Sequence, residues 1–174
     1  MKKILIVVDV QKDFVDGALG TAEAQAMLPR LVEKMNNYEG EIIFTRDTHE
    51  ADYFNTQEGR ILPVAHCIRN TPGWELIPEL GTWCAKHGCK IFDKPTFGSV
   101  AMAKELRQEY AQGILEEVEL VGLCTDICVA SNALLLKAYM PELPIKVDPT
   151  CCAGVTPEKH KAALDVMHSC QIII

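Results

Sequence analysis

Four places in the chain carry side chains whose types and spacing could do chemistry, and each follows a short apolar run. Asp9 ends the run from Ile4 to Val8, Asp47 and His49 follow a second run, Asp93 and Lys94 a third, and Cys124, Asp126 and Cys128 a fourth. If those runs are neighbouring parallel strands, their carboxyl ends bring a carboxylate, a metal-type pair, an ammonium and a thiol to one rim, where open α/β sheets bind ligands. Cys128 falls within the first turn of the helix that follows, where free N–H groups and the macrodipole stabilise a thiolate. Lys94 nearby would depress its pKa further, making Cys128 the thiol most open to alkylation. That is a nucleophile's location, and Asp9 would shuttle the proton that thiol and leaving group exchange. Taken singly, each group has an ordinary reading as a turn cap, a solvated ammonium or a core thiol; their convergence is what favours chemistry.

Asp47-Thr48-His49 puts two ligand-type side chains at i and i+2, on one side of an extended segment, with His66 further along. Two histidines and one carboxylate suit zinc, manganese or iron with open positions for water or substrate.

The elements that must position these groups are legible as apolar runs separated by helical patterns. Ile4 to Val8, Glu41 to Thr45, Cys89 to Phe92, Val118 to Gly122, Leu143 to Val147 and Gln171 to Ile174 are predicted strands, and their continuous apolar character implies burial on both faces. Ala22 to Met35 reads as a helix capped by Thr21, Ser99 to Tyr110 as another capped by its own serine, and Thr125 to Tyr139 as a third. Thr156-Pro157-Glu158 opens a fourth, with Ala162, Ala163, Val166, Met167 and Cys170 as its inward stripe. The alternation predicts an α/β fold, a three-layer α/β/α sandwich on a mainly parallel, six-stranded, Rossmann-like sheet in one domain over residues 1–174. His49 to Trp83 is the exception: it is rich in Pro and Gly without a sustained period, and long irregular segments are usually functional.

Composition narrows the partners. Seventeen basic against twenty-four acidic residues in 174 give a formal charge of −7, which works against phosphate backbones and anionic lipid, so neither nucleic acid nor membrane is expected. Met1-Lys2-Lys3 before an apolar run imitates a signal peptide, but the run stops at Asp9 without a small-residue cleavage site, so it reads as a buried strand and the chain as cytoplasmic. Eight cysteines without a C-x-x-C pair then read mostly as core fillers. Cys124 reads as structural, Cys151 and Cys152 as packing or rim residues after the fifth strand, and His87, His160 and His168 as solvent-facing.

Four motifs, in order over nearly the whole chain, carry a family resemblance. Asp9-Val10-Gln11-Lys12-Asp13-Phe14, the pair Asp47-Thr48-His49 and His66-Cys67, Lys94-Pro95-Thr96-Phe97-Gly98-Ser99, and Gly122-Leu123-Cys124-Thr125-Asp126-Ile127-Cys128-Val129 resemble the isochorismatase-like cysteine hydrolases, and among them the nicotinamidase-like branch. The resemblance implies a triad of Asp9, Lys94 and Cys128, a divalent metal, zinc foremost with manganese or iron as alternatives, on Asp47, His49 and His66, and Glu58 as the candidate to complete that shell. It implies a cis peptide between Leu123 and Cys124, an oxyanion hole from the backbone N–H groups of Cys124 and Cys128, a small amide substrate and a homo-oligomer. Phe14, with Tyr53 or Trp74, is expected to flank a flat ring. Thr48 stands where many nicotinamidases have tryptophan and Glu50 where proline is common. Another small amide, a ureido acid or an isochorismate-like compound therefore stands as the alternative substrate. A metal or redox binding protein and a catalytically silent scaffold are the other readings, and the complete triad favours the hydrolase over both.

Overall fold

A computed structural model describes residues 1–174. Five parallel strands form one sheet in the order β3-β2-β1-β4-β5: β1 (Lys2–Val8), β2 (Glu41–Asp47), β3 (Ile91–Lys94), β4 (Leu115–Leu123) and β5 (Ile145–Ala153). The helices are α1 (Lys12–Val15), α2 (Ala22–Asn37), α3 (Gln57–Ile61), α4 (Pro78–His87), α5 (Val100–Ala111), α6 (Ala130–Tyr139) and α7 (Pro157–Ser169).

Alternate side chains of β1 feed two separate cores. Ile4, Ile6 and Val8 pack with Met102, Ala103 and Leu106 of α5, Ala133 and Leu136 of α6 and Met167 of α7. Leu5 and Val7 pack on the other face with Met27, Leu31 and Met35 of α2 and Leu80 and Cys84 of α4. This period-two split makes the three layers, and burial on both faces explains the unbroken apolar run. Sequence order reverses at β1, which lies between β2 and β4, so the crevice at its carboxyl end is the topological switch point. There β1 and β4 approach so closely that a Cβ on Gly122, whose φ is +114, would sit 2.2 Å from the Val8 carbonyl oxygen.

The sheet has five strands and not six. After α7 the chain turns at Gln171, with φ +66, and Gln171 to Ile174 makes only a single parallel bridge, Lys146 with Ile173. β3 starts two residues later than its apolar run because the Cys89 N–H is taken by the Cys84 carbonyl, 3.1 Å away at the end of α4. β5 runs through Cys151 and Cys152, past a register shift in its pairing with β4, so both thiols are buried within the strand. The inward stripe of α7 is rotated from the expected one: Ala163, Leu164 and Met167 pack inward, whereas Val166 is 55% exposed and Ala162 and Cys170 face solvent. No helix is long and apolar enough to cross a membrane.

Candidate active site

Asp9 is the first residue beyond β1, where the chain turns with φ +48, a left-handed conformation that aspartate tolerates better than most side chains. Its carboxylate is fully buried and holds two partners: the Thr45 hydroxyl donates to Oδ1 at 2.6 Å, and the Lys94 ammonium lies 2.6 Å from Oδ2. Lys94, the last residue of β3, is 1% exposed and also donates to Cys128 Sγ at 3.3 Å. The three residues therefore meet with the ammonium between carboxylate and thiol. Burial works against the Lys94 charge, but Asp9, Cys128 and Asp47 outweigh it and hold its pKa above the ordinary lysine range.

Cys128 sits in a π-helical turn, Thr125–Val129, that leads into α6. The Val129 N–H reaches back to the Cys124 carbonyl at 3.1 Å, an i to i+5 bond of the kind often found at functional sites. The Leu123-Cys124 peptide is cis. Contrary to the sequence-based expectation of a depressed pKa, burial and then the Asp9 charge push the Cys128 thiol well above its usual range, with Lys94 opposing. The thiol is 4% exposed, and Cys170 is the exposed cysteine. Burial also raises the Asp9 carboxyl, partly offset by Lys94.

Beside this group, ligand atoms of Asp47, His49, Glu58 and His66 all lie within 4.8 Å of one another. His66 donates its Nδ1–H to the Val64 carbonyl at 2.8 Å, which leaves Nε2 as the lone-pair nitrogen facing the carboxylates. His49 Nε2 is buried without a hydrogen-bond partner, 3.0 Å from Asp47 Oδ2. An orphaned ring nitrogen, a second fixed by its other nitrogen, and two carboxylates are a donor set that fits a divalent metal ion. Burial raises the Asp47 carboxyl, but the adjacent His49 ring and the Lys94 charge outweigh it and hold the pKa below the ordinary range. Glu58 enters this cluster from α3, whose N-cap Thr56 accepts from the Gly59 N–H at 3.0 Å.

A cavity of ≈ 160 Å³ opens over both groups, lined by Cys124, Cys128, Asp47, Glu58 and His66 on its polar side and by Phe14, Leu62, Phe97, Leu123, Ile127 and Val155 among its apolar residues. No lysine or arginine lines it. Phe14 is where the sequence places it, its ring centroid 5.5 Å from that of His66. Tyr53 and Trp74 do not line the cavity. The Tyr53 ring backs the Asp47-His49-Glu58-His66 cluster edge-on, 4.7 Å from His49 and 5.1 Å from His66, with its hydroxyl donating to the Leu62 carbonyl at 2.8 Å. Trp74 is buried behind, its indole N–H donating to the Thr48 hydroxyl at 2.9 Å and its ring covered by Arg46 at 3.6 Å. Neither Cys151 nor Cys152 lines the cavity.

Sequence reasoning missed several supports. Gln11 is fully buried and grips the Asp47 backbone. Asp13 accepts the Cys67 N–H at 2.8 Å and so fixes the turn that presents His66. Asn132, fully buried in α6, donates to the Cys128 carbonyl at 2.8 Å and accepts from the Ser99 N–H at 2.8 Å, tying the loop after Lys94 to the turn that carries Cys128. Gln11 and Asp13 stand in the first of the four motifs without a role read for them there, and Asn132 shows only as a polar residue inside an apolar stretch.

A family profile described as Isochorismatase domain matches residues 3–174. The chain is 28% identical over 186 residues to the nicotinamidase/pyrazinamidase of Mycobacterium tuberculosis, covering 98% of this chain and 96% of that one. Its structure is similar to the crystal structure of a nicotinamidase/pyrazinamidase from Bacillus subtilis, with TM-score 0.82, 30% identity and 99% and 98% of the two chains covered. It is also similar to the pyrazinamidase of Pyrococcus horikoshii crystallised in complex with zinc, with TM-score 0.79, 28% identity and 100% and 98% covered.

Proposed function

Because the chain belongs to the isochorismatase family, we propose that it is a nicotinamidase-like thiol amidohydrolase that converts nicotinamide to nicotinate and ammonia. The observation that carries the reading is the Lys94 ammonium, 2.6 Å from Asp9 and 3.3 Å from Cys128, beneath a cavity that also meets the four-residue metal cluster.

In this reading Asp9 accepts the proton of the Cys128 thiol as Sγ attacks the amide carbon. The oxyanion of the tetrahedral intermediate accepts hydrogen bonds from the backbone N–H groups of Cys124 and Cys128. Asp9 returns the proton to the departing nitrogen, ammonia leaves, and a thioester remains on Cys128. Asp9 then takes a proton from water as it attacks the thioester; nicotinate leaves and the proton returns to the Cys128 sulfur. Lys94 stays cationic throughout and keeps the carboxylate and developing thiolate within one neutralising contact. Asp47, His49, Glu58 and His66 would hold the metal, for which zinc is our assignment from the two imidazoles and two carboxylates, and when bound it supplies a Lewis-acid site toward a ring nitrogen or water.

The cavity lining favours nicotinamide over the other amides of the family. A ureido acid or an isochorismate-like compound brings carboxylates that need a cationic partner on burial, and apart from the metal the cluster would hold, no cation lines the cavity. Apolar walls with Phe14 and Phe97 suit a neutral flat ring. We assign the protein to the cytoplasm, as one domain over residues 1–174, a homo-oligomer without nucleic-acid or membrane partners. Eight free cysteines and the charge of −7 support the compartment and the absent partners. Ammonia release from a panel of small amides, compared between wild type and Cys128→Ala, tests the function: turnover of nicotinamide abolished by the substitution is expected, and no turnover by wild type would refute it.

A further inference from the structure

The nucleophile's turn is braced from outside by a side chain with no part in the mechanism above. Thr125, the first residue of the π-helical turn, is fully buried, and its hydroxyl meets His160 Nδ1 at 2.7 Å. His160 is the polar member of the stripe that α7 turns inward, at i to Ala163, Leu164 and Met167 at i+3, i+4 and i+7. Burial holds the His160 pKa below its ordinary value, with Asp126 opposing. A neutral ring offers Nδ1 as acceptor for the buried hydroxyl proton, which has no other partner.

Two further contacts come from the same segment. The Val155 N–H donates to Asp126 Oδ1 at 2.9 Å. At Gly154 an added Cβ would lie 2.8 Å from the His160 backbone nitrogen and 2.9 Å from Asp126 Oδ1, so the chain entering α7 is pressed against the turn. Cys124 provides no side-chain cap for the π-helical turn, so the Thr125 hydroxyl and the Asp126 carboxylate carry its ties to the segment entering α7. His160 does not line the cavity, so its action on the reaction passes through Thr125.

We propose that His160 is a positioning residue: by holding the Thr125 hydroxyl it fixes the segment between Cys124 and Cys128, so that the thiol and the Cys124 N–H address one carbonyl. This rests on the amidohydrolase reading of the site. Displacing a reacting atom by about 1 Å can cost on the order of a hundredfold in rate, which makes kcat the sensitive readout.

The test measures kcat and KM for nicotinamide, and the rate of Cys128 alkylation by iodoacetamide resolved by peptide mapping, in the full chain carrying His160→Ala, Thr125→Val, both, or His160→Asn. Each of the first two should lower kcat about tenfold or more with KM within about twofold, and Cys128 alkylation should slow with it. The double variant should fall no further than the worse single one. His160→Asn, which can place an amide oxygen near the position of Nδ1, should recover most of the loss. Wild-type kcat in folded His160→Ala, or losses that multiply in the double variant, would overturn the proposal. Should His160→Ala fail to fold, Thr125→Val decides alone, since it removes the hydroxyl at nearly constant volume, and an unchanged kcat overturns the proposal. If wild type hydrolyses no nicotinamide, the amidohydrolase reading fails, and the alkylation rates still decide whether His160 positions Cys128: unchanged rates in the variants overturn it.

Discussion

Gln11 holds Asp47 by both ends of one carboxamide: Oε1 accepts the Asp47 N–H at 2.7 Å, and Nε2 donates to the Asp47 carbonyl at 2.9 Å. Nε2 also donates to the Trp74 carbonyl at 2.8 Å. The residue two places after Asp9, the proposed general base, therefore fixes the backbone of Asp47 in the proposed metal cluster, so proton transfer and metal binding would share one support. Gln11→Met keeps the length and removes all three bonds, leaving a buried N–H and two carbonyls unpaired at about 1–3 kcal/mol each. The expected outcome is a drop in thermal stability together with about 10–100-fold weaker metal affinity, read by calorimetry and metal titration. Unchanged metal affinity would show that the clamp serves the fold alone.

Asp9 is asked to move the proton and Lys94 to hold charge, and the two substitutions should separate these roles. Asp9→Asn should lower kcat on the order of a hundredfold or more in a protein that still folds. Lys94→Arg should not restore the activity lost in Lys94→Ala, because a planar guanidinium cannot replace a compact ammonium at 1% exposure between Asp9 and Cys128. Near wild-type turnover in Asp9→Asn would remove Asp9 from the general-base role.

The raised Asp9 carboxyl fixes the sign of the pH dependence. Only the ionised form accepts the thiol proton, so kcat/KM should rise with pH through a limb lying above the ordinary carboxylate range. The Thr45 hydroxyl donates to Asp9 Oδ1 at 2.6 Å and favours the ionised form. Thr45→Val removes that donor, so its limb should move to higher pH. A shift to lower pH, or none, would mean that another group sets the limb.

How much of this could be read from the sequence depended on how locally each feature is determined. Asp9, Lys94 and Cys128 were legible because each stands just beyond or at the end of an apolar strand, and parallel order alone brings those ends together. Thr21, Ser99 and Thr156 were legible as caps because a cap acts within three residues. Tyr53 and Trp74 were misplaced because the long segment between β2 and α4 is shaped by distant partners, Trp74 by Thr48 and Arg46. The sequence makes His160 solvent-facing because the apparent stripe of α7 centres on Val166, and only packing against Thr125 shows the true face. Cys128 was assigned a low pKa from its helix position, and burial of the whole triad reversed the sign.

The metal prediction joins the cluster to substrate choice. His49 Nε2 is buried without a partner and the ligand atoms of Asp47, His49, Glu58 and His66 lie within 4.8 Å of one another, so two carboxylates and an orphaned nitrogen stand close together. Metal analysis of the purified protein should find about one divalent ion per chain, and chelation should lower its melting temperature, since an ion bound only by the folded state stabilises it. A ring nitrogen gains from the ion's Lewis acidity and benzamide has none. KM should therefore rise sharply on chelation for nicotinamide and pyrazinamide while changing little for benzamide. Ureido acids should be poor substrates after chelation, because without the ion the cavity has no lysine or arginine to receive a carboxylate. Steady-state kinetics on the four compounds before and after chelation check this. Equal effects on nicotinamide and benzamide would detach the metal from ring recognition and leave it a structural role.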